Sequence, residues 1–391
     1  MKIKNIGLKN YRNIESAEID FSDGINILIG ENANGKTNAV EAIYQFAQGK
    51  SFRTKNNAEV IGFDKEMCDL EIGFALDSPR HSVTPPSQAK GAEKVNNMQI
   101  KLYKDKSKKF YYNNIHTRKV IEFIGKFRAV LFTPDHLGLV KGNPETRRRF
   151  IDMAISQIKP VYLSYLLDCN RILIQRNHLL KHIKQTGETP EKLEQFFIWT
   201  KKLAKYSAVI TRYRGEYIER LKEFVPIFYK GISNDKEGIK LSYVSNINKY
   251  NKDFKDFNNF ELCENLYCDV FSRHSKEELA AGTTLYGPQR DDLYIEIDDK
   301  SARSVASQGQ QRSAVLALKL AEGDISKISH GEYPVFLLDD ILSELDHTRQ
   351  DFILKNLSER QVIITCCNSE LLNGIDINIS KMIKVENGKF V

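Results

Sequence analysis

The fold of this chain is decided by the stretch Gly30-Glu31-Asn32-Ala33-Asn34-Gly35-Lys36-Thr37, which matches the pattern G-x-x-x-x-G-K-[ST] in full. The apolar, β-branched run at 24–29 precedes this stretch and predicts a buried strand. Residues 38–44 follow it and predict a helix. A strand, a glycine-rich loop and a helix in this order predict a P-loop and an α/β fold. For the motif alone, the alternative is a glycine-rich turn that precedes Lys-Thr by chance.

The chemistry of such a loop follows from its geometry. With glycine at both ends, the loop can turn its backbone N–H groups inward around an anion, and the following helix adds its partial positive charge. Lys36 would reach the β- and γ-phosphates of a nucleotide, and the Thr37 hydroxyl would bind the bridging Mg²⁺. The sequence therefore predicts a nucleotide site in which all eight loop residues take part.

A second buried strand at 334–338 ends in the two carboxylates Asp339 and Asp340. A P-loop fold needs an acid at this place to hold Mg²⁺. We therefore expect Asp339 to face Thr37 across the metal, and Asp340 to polarise the attacking water. Lys36 and Asp340 are the predicted catalytic residues.

The two motifs lie far apart, because Asp339 follows Lys36 by 303 positions in the sequence (339 − 36). This separation predicts a nucleotide-binding body that is assembled from both chain ends, with a large domain inserted between them. The expected domains are 1–145 with the loop and a β-rich lobe, 146–285 as the inserted helical arm, and 286–391 with the acidic strand. Asp77 to Asn97 is expected to be a solvated loop.

The inserted segment carries helical patterns. Apolar residues from Ile151 to Ile172 alternate at spacings of three and four, which predicts one long helix. Thr189 as N-cap and Pro190 predict the start of a second helix that continues to Phe224. The two helices would form an antiparallel hairpin, either as a projecting arm or as an ordinary helical subdomain. Ser275 to Glu278 is expected to be a capping box.

Composition limits the class of protein. The 58 Lys and Arg residues against 51 Asp and Glu give a net charge of +7, which suits a polyanionic partner without requiring one. Six scattered cysteines do not form a disulfide framework. The sequence has no signal-peptide pattern and no apolar run of membrane-spanning length. We therefore expect a soluble, cytoplasmic protein with no membrane partner.

Several further segments combine with the glycine loop into a recognisable set of motifs. They are Leu8 to Glu15, Glu41-Ala42-Ile43, Phe132 to Asp135, Lys141 to Asp152, Gln175-Arg176-Asn177, Ser307 to Arg312, Leu338-Asp339-Asp340 and Ser343 to Asp346. With these segments the sequence resembles the RecF family, in the SMC-like branch of the ABC ATPases, over nearly the whole chain. The glycine loop with Glu41-Ala42-Ile43 resembles the Walker A region of the family, and Ser307 to Arg312 is similar to its ABC signature. Leu338-Asp339-Asp340 is similar to its Walker B motif and Ser343 to Asp346 to its D-loop.

The resemblance implies an ABC-type head with ATP and Mg²⁺ as cofactors. It implies a homodimer that forms on ATP binding, in which Ser307, Gly309 and Gln310 of one subunit contact the γ-phosphate held by the other. Arg12, in the opening motif, would belong to the same nucleotide site. A weak, DNA-dependent ATPase activity would open the dimer. No histidine corresponds to the switch histidine of transporter ATPases, because 365–368 occupies that region.

The resemblance also implies partners. RecF-like proteins bind gapped DNA and junctions of single- and double-stranded DNA, and with RecO and RecR they help to load RecA in gap repair and the SOS response. The alternative is another SMC-like repair or defence ATPase with different partners. A transporter subunit would need a compact spacing of motifs, and a small-molecule kinase would lack the signature. Basic candidates for DNA contacts, any of which could instead be a solvated or structural charge, are Lys104, Lys106, Lys108, Lys109, Arg147, Arg148 and Arg149.

Overall fold

The structure is a computed structural model that describes residues 1–54, 56–77, 94–105, 107–249, 259–368 and 379–391. The chain divides into two compact units. The first contains Met1–Leu137, Ile227–Lys236 and Gln308–Val391, and the second contains Gly138–Pro226 and Glu237–Ser307. These divisions fall at 137/138 and 307/308, whereas the sequence suggested 145/146 and 285/286.

The secondary structure is mixed. The strands, in chain order, are β1 (Lys2–Tyr11), β2 (Ile14–Asp20), β3 (Ile25–Ile29), β4 (Met67–Ala75), β5 (Val95–Tyr103), β6 (Lys108–Tyr112), β7 (Ile115–Thr117), β8 (Ala129–Phe132), β9 (Ile239–Val244), β10 (Asp292–Ile297), β11 (Lys300–Ser301), β12 (Val335–Asp339), β13 (Val362–Cys366), β14 (Ile379–Glu386) and β15 (Lys389–Phe390). The helices are α1 (Lys36–Gln48), α2 (Val120–Phe123), α3 (Gly138–Lys141), α4 (Pro144–Ile158), α5 (Pro160–Thr186), α6 (Pro190–Ser233), α7 (Phe260–Arg273), α8 (Ser275–Ala281), α9 (Ala302–Val305), α10 (Gln308–His330) and α11 (His347–Leu357).

The central sheet of the first unit has the strand order β15-β14-β3-β13-β12-β8. Its strands are parallel except for β15. All residues of β12 and β13 are buried, as expected for near-continuous apolar runs in a parallel sheet. Because β3 lies between β13 and β14, this sheet contains strands from both ends of the chain side by side. Their carboxyl ends share one edge, where ligands bind in open α/β sheets.

The β-rich lobe is a second sheet of the first unit, with the antiparallel order β2-β1-β4-β5-β6-β7. The predicted turn at Asn113 and Asn114 is present, with φ of 49° and 64°, the left-handed values that a tight hairpin needs. The loop predicted from Asp77 to Asn97 ends earlier than expected, because Val95 already pairs with Ala75 in the ladder. Its residues 78–93 lie outside the described part of the chain.

The second unit is mainly helical, with a three-stranded sheet of order β11-β10-β9. The single long helix predicted across Ile151 and Ile172 is wrong: α4 ends at Ile158 and α5 begins at Pro160. Proline has no N–H and disfavours the helical conformation at the preceding residue, so Lys159 has φ −130° and ψ 84°. The apolar spacing continues across this break and therefore concealed it.

Helices α5 and α6 run antiparallel, as predicted. Arg176 Nε donates to Thr200 Oγ1 at 3.0 Å, and the rings of Tyr162 and Tyr213 are 5.3 Å apart. The Thr189 hydroxyl accepts the Lys192 N–H at 3.4 Å, which confirms the predicted N-cap. Helix α6 continues to Ser233, beyond the predicted end at 224, with Pro226 inside it.

The predicted capping box at Ser275 is wrong. His274 occupies the N-cap position, and Ser275 is the first residue of α8. The Ser275 hydroxyl donates to the Ser272 carbonyl, and Glu278 is buried against Arg176 instead of reaching back to the helix start. All six cysteines lie in the described part of the chain and none of them forms a disulfide, as predicted. Among the helices that the structure describes, none combines the length and apolar character that a membrane span requires.

Candidate nucleotide-binding site

The glycine loop connects β3 to α1, as predicted. A Cβ at Gly30 would lie 2.1 Å from the Val385 carbonyl oxygen of β14, so only glycine fits there. Gly35 has φ 107° and Ala33 has φ 68°, both in the left-handed region. The loop is therefore shaped by the strand behind it as well as by its own sequence.

Lys36 lies inside the loop and is 7% exposed. Its Nζ donates to the carbonyl oxygens of Gly30 and Glu31, at 2.6 and 2.8 Å. These bonds hold the ammonium group against the concave side of the loop. A phosphate placed there would meet a fixed charge rather than a flexible one.

Thr37 and Asp339 meet across 302 positions of sequence, because the Thr37 hydroxyl donates to Asp339 Oδ1 at 2.9 Å. Mg²⁺ binds oxygen ligands octahedrally at about 2.0–2.1 Å, so adjacent ligands lie about 2.9 Å apart. The two oxygens thus fit neighbouring positions around Mg²⁺. Groups of three or more His, Cys, Asp or Glu suited to a metal are absent from the described residues.

The two acids differ in environment. Burial raises the pKa of Asp339, and hydrogen bonds from Thr365 and Thr37 oppose this effect. Asp340 is half-buried and has φ 52°, a left-handed conformation that is uncommon outside glycine and often found at functional sites. Ser343 Oγ donates to Asp340 Oδ1 at 3.2 Å. The arrangement separates a buried acid suited to a metal from an accessible acid suited to water.

A cleft of about 820 Å³ opens at the loop, which is within the range of sites for small-molecule ligands. It lies within the first unit. Its lining includes both polar loop residues and the apolar side chains of Ile61 and Phe63, and Phe63 is 91% exposed. The residues around it are Arg12, Asn13, Asn32, Ala33, Gly35, Lys36, Thr37, Asn38, Arg53, Ala58, Glu59, Ile61, Phe63, Asp340, Thr365 and Cys367.

Arg12 lines this cleft, as the resemblance implied. Its guanidinium forms a bidentate pair with the buried Glu41, with Nε–Oε2 and Nη2–Oε1 distances of 3.0 and 2.7 Å. Although burial opposes the charge, this pairing raises the pKa of Arg12. Ser51 also donates to Glu41, and Arg53 lies 3.6 Å from it. Glu41 therefore anchors two cationic side chains at the cleft.

Sequence reasoning assigned no role to several residues at the cleft. Asn13 Nδ2 donates to the Ala33 carbonyl, and Asn38 Nδ2 donates to Asn13 Oδ1. Arg53 Nη1 in turn donates to Asn38 Oδ1 at 2.8 Å. Asn38 directly follows the loop motif and Asn13 directly follows Arg12. These neighbouring positions were the signal in the sequence that could have placed both residues at the cleft.

The signature segment begins α10 at Gln308, as predicted for a helix N-terminus. Ser307 is exposed, and Gly309 and Gln310 are half-buried. None of these three is among the described residues that line the cleft. Arg312 pairs with Glu344, which connects the signature helix to the D-loop.

The predicted DNA contact at Arg147 is corrected. Arg147 is 3% exposed, forms a bidentate pair with Asp292 at 2.6 and 2.8 Å, and donates to the Gly142 carbonyl. Its spacing from Phe150, Ile151 and Ala154 places it on the buried face of α4, and this signal was in the sequence. A charge that is buried and paired in this way is not available to a phosphate.

The other basic candidates have mixed surroundings. Arg148 is half-buried and donates to the Asp291 carbonyl, whereas Arg149 is exposed. Lys108 is half-buried and donates to the Gly49 carbonyl at 3.2 Å, and burial lowers its pKa. Lys104 is exposed and pairs with Glu66 at 3.1 Å. Lys109 is exposed beside the Tyr103 ring, and Lys106 lies outside the described residues.

Comparison with known proteins gives the family. A family model described as RecF/RecN/SMC N terminal domain matches residues 2–390. The DNA replication and repair protein RecF of Macrococcus caseolyticus is 37% identical over 394 residues, covering 100% of this chain and 99% of that relative. This chain belongs to the RecF family. The RecF of Bacillus mycoides is also 37% identical, over 389 residues, covering 99% and 98% of the two chains.

Solved structures agree with membership of the RecF family. The recombination mediator protein RecF with ATPrS, in the RecFOR pathway, has a TM-score of 0.86 at 31% identity and covers 99% of this chain and 97% of its own. The same mediator with ATP has a TM-score of 0.87 at 30% identity, with 100% and 97% covered. An SMC head bound to the C-winged helix domain of ScpA shares the fold, with a TM-score of 0.53 at 15% identity, covering 100% and 97%. The predicted ABC-type head is thereby confirmed.

Proposed function

We propose that this chain is an ATP-dependent recombination mediator in DNA repair. It would dimerise on binding ATP and Mg²⁺, bind gapped DNA or junctions of single- and double-stranded DNA, and help RecO and RecR to load RecA. The observation that supports the ATP step best is the Thr37–Asp339 hydrogen bond, because it joins the two halves of a Mg²⁺ site from opposite ends of the chain. Solved RecF structures named for ATP and for ATPrS also support it.

Each of the main residues of the cleft has a separate role in the proposed reaction. Lys36 would exchange its bonds to the loop carbonyls for bonds to phosphate oxygens. Because its ammonium group already lies at the concave side of the loop, this exchange would need little movement of the side chain. Thr37 and Asp339 would hold the metal, and Asp340 would orient a water molecule and accept its proton. Bound ATP supplies a phosphoanhydride bond whose hydrolysis can drive reopening of a dimer. Arg12, held by Glu41, adds positive charge at the same cleft.

Dimerisation would complete the site. In the proposed dimer, Ser307, Gly309 and Gln310 of each subunit close on the nucleotide held by the other. Their accessibility, and their absence from the lining of the chain's own cleft among the described residues, support an action in trans. Hydrolysis is expected to be weak and DNA-dependent, so that ATP acts mainly as a switch for dimerisation.

The experiment is the solution mass of the purified protein with and without Mg-ATP and gapped duplex DNA. Wild type should be monomeric without nucleotide and dimeric with it. Lys36→Met and Ser307→Arg should remain monomeric, because one loses phosphate binding and the other blocks the trans contact. Asp340→Asn should stay dimeric for longer, because hydrolysis is slowed. Ser358→Arg, which adds the same bulk and charge at an exposed position of the first unit, should behave as wild type.

Two results would contradict the proposal. Dimerisation that is equal with and without ATP would remove the nucleotide switch, and a monomer under all conditions would leave the signature without a function. The partner claim needs its own measurement, which is capture of purified RecR or RecO by the ATP-bound protein. A dimer that binds DNA and neither partner would support the alternative of another SMC-like repair ATPase.

A further inference from the structure

Thr365 lies next to the two acids of the cleft. It is in β13, 1% exposed, and pairs in register with Asp339 of the neighbouring parallel strand β12. It belongs to the region that holds a switch histidine in transporter ATPases, but it carries a hydroxyl group with two well-defined partners. Sequence reasoning gave it no role.

The hydroxyl of Thr365 bonds to both acidic residues. Its Oγ1 donates to Asp339 Oδ1 at 2.9 Å, and it accepts the backbone N–H of Asp340, also at 2.9 Å. A hydroxyl has one hydrogen, and an ionised carboxylate can only accept. The hydrogen bonds therefore run in one direction, from the Asp340 backbone through Thr365 to the Asp339 carboxylate.

These two bonds fix features that the nucleotide site needs. Asp339 Oδ1 receives one hydrogen bond from the loop, through Thr37, and one from the sheet, through Thr365. The second bond holds the carboxylate independently of how the loop responds to a ligand. The bond to the Asp340 N–H holds that residue at φ 52°, a conformation that most residues adopt only when their surroundings enforce it.

We infer that Thr365 is a positioning residue that orients both the metal-binding acid and the water-activating acid. This inference rests on the proposed ATP and Mg²⁺ site and adds a named residue to it. Partners behind metal ligands typically change metal affinity 10–100-fold when they are removed. We therefore expect Thr365 to affect Mg²⁺ affinity, through Asp339, and turnover, through Asp340.

The test uses the full-length protein and a fluorescent ATP analogue. Thr365→Val keeps the shape and removes the hydroxyl, and Thr365→Ser keeps the hydroxyl. The first readout is the Mg²⁺ concentration that half-saturates the Mg²⁺-dependent part of analogue binding. The second is the split of ATP hydrolysis into kcat and KM. Thr211→Val is the matched control, because Thr211 is equally buried and its hydroxyl bonds to Tyr267 within the second unit.

We expect Thr365→Val to raise the half-saturating Mg²⁺ concentration about 10-fold or more and to lower kcat, with analogue binding in EDTA unchanged. Thr365→Ser should restore both values close to wild type, and Thr211→Val should change neither. Unchanged Mg²⁺ affinity and kcat in Thr365→Val would overturn the inference. So would a serine variant as impaired as the valine variant, because the hydroxyl would then not be the relevant group.

Folding is checked by thermal unfolding of each variant. If Thr365→Val does not fold, Thr365→Ala and Thr365→Ser form the decisive pair, with the same expected contrast in Mg²⁺ affinity. If the wild-type protein shows no Mg²⁺-dependent binding of the nucleotide analogue, the proposed function is overturned, and the inference with it. A wild type that binds while the hydroxyl-free variants match it would overturn the inference alone.

Discussion

Arg176 is a fully buried charge in the helical unit, and each of its guanidinium nitrogens donates a hydrogen bond. The acceptors are Thr200, Thr284 and Glu278, at 3.0, 2.7 and 2.5 Å. The aromatic rings of Phe196 and Phe271 lie 4.6 and 5.2 Å from its guanidinium carbon. Such a charge is tolerated only when it is paired and fully hydrogen-bonded. The residue matched a family motif in the sequence, and in the structure it connects α5, α6 and α8 inside the helical unit.

Arg147 is a structural residue by the same reasoning, and this gives a prediction. Arg147→Ala leaves Asp292 without its bidentate partner, so the free energy of unfolding should fall by on the order of 3 kcal/mol. The dependence of DNA affinity on salt should not change, whereas loss of one phosphate contact would reduce the slope of log affinity against log salt by about 0.9. Arg149→Ala, at an exposed position of the same run, should leave stability unchanged. A stable Arg147→Ala variant with a reduced slope would restore the DNA role.

At the scale of elements, the glycine loop depends on a strand that is remote in sequence. The motif predicted the loop between β3 and α1, because its glycines and flanking patterns are local signals. That β14 passes behind Gly30 could not be predicted, because strand order depends on contacts between segments about 350 residues apart. The break before Pro160 could have been predicted, because proline is a local signal that the apolar spacing outweighed.

The close approach of β14 predicts the effect of one methyl group. Gly30→Ala places a Cβ 2.1 Å from a backbone oxygen that cannot move without distorting the sheet. We expect a loss of about 1–3 kcal/mol in stability and a marked loss of ATP affinity. Gly238→Ala is the control, because the nearest atom to its added Cβ is 3.9 Å away. Equal melting temperatures and equal ATP affinities in the two variants would show that β14 shifts to accommodate the methyl group, which would contradict this prediction.

At the scale of the whole molecule, stability and pH are linked through a buried carboxylate of the second unit. Burial raises the pKa of Asp291 to about 6, and its partners are Arg214, the Tyr243 hydroxyl and the Asn246 N–H. The folded state therefore holds a proton at pH values where the unfolded chain has lost it. This contribution to stability is present below about pH 4 and is lost as pH rises through about 6.

We predict that Asp291→Asn removes this pH dependence. The difference in unfolding free energy between wild type and variant should decrease by on the order of 3 kcal/mol as the pH rises from about 4 to about 6. Above about pH 6 it should stay constant. Urea unfolding of both proteins across this range measures the difference. Asp346, whose pKa is lowered, is present in both proteins, so its contribution to the pH dependence of stability cancels in this difference. A difference that does not vary with pH would show that Asp291 is ionised throughout.

The sequence was sufficient for the head fold and for the meeting of Thr37 in the glycine loop with Asp339 at the end of its strand, because both motifs are contiguous stretches with fixed chemistry. It was insufficient for the partners of those residues. Glu41, Asn13 and Thr365 act through contacts that appear only when strands and loops from different segments meet. The unit division also differs from the prediction, since Ile227–Lys236 belongs with the first unit.

The position of β3 in its sheet has a consequence during synthesis. Both neighbours of this strand, β13 and β14, come from the last thirty residues of the chain, beginning at Val362. At 5–20 residues per second, a ribosome needs about 15–70 seconds to reach them after completing β3. For that time β3 lacks both of its sheet neighbours, so the nascent chain carries an apolar strand with two unpaired edges, which is a site of possible aggregation.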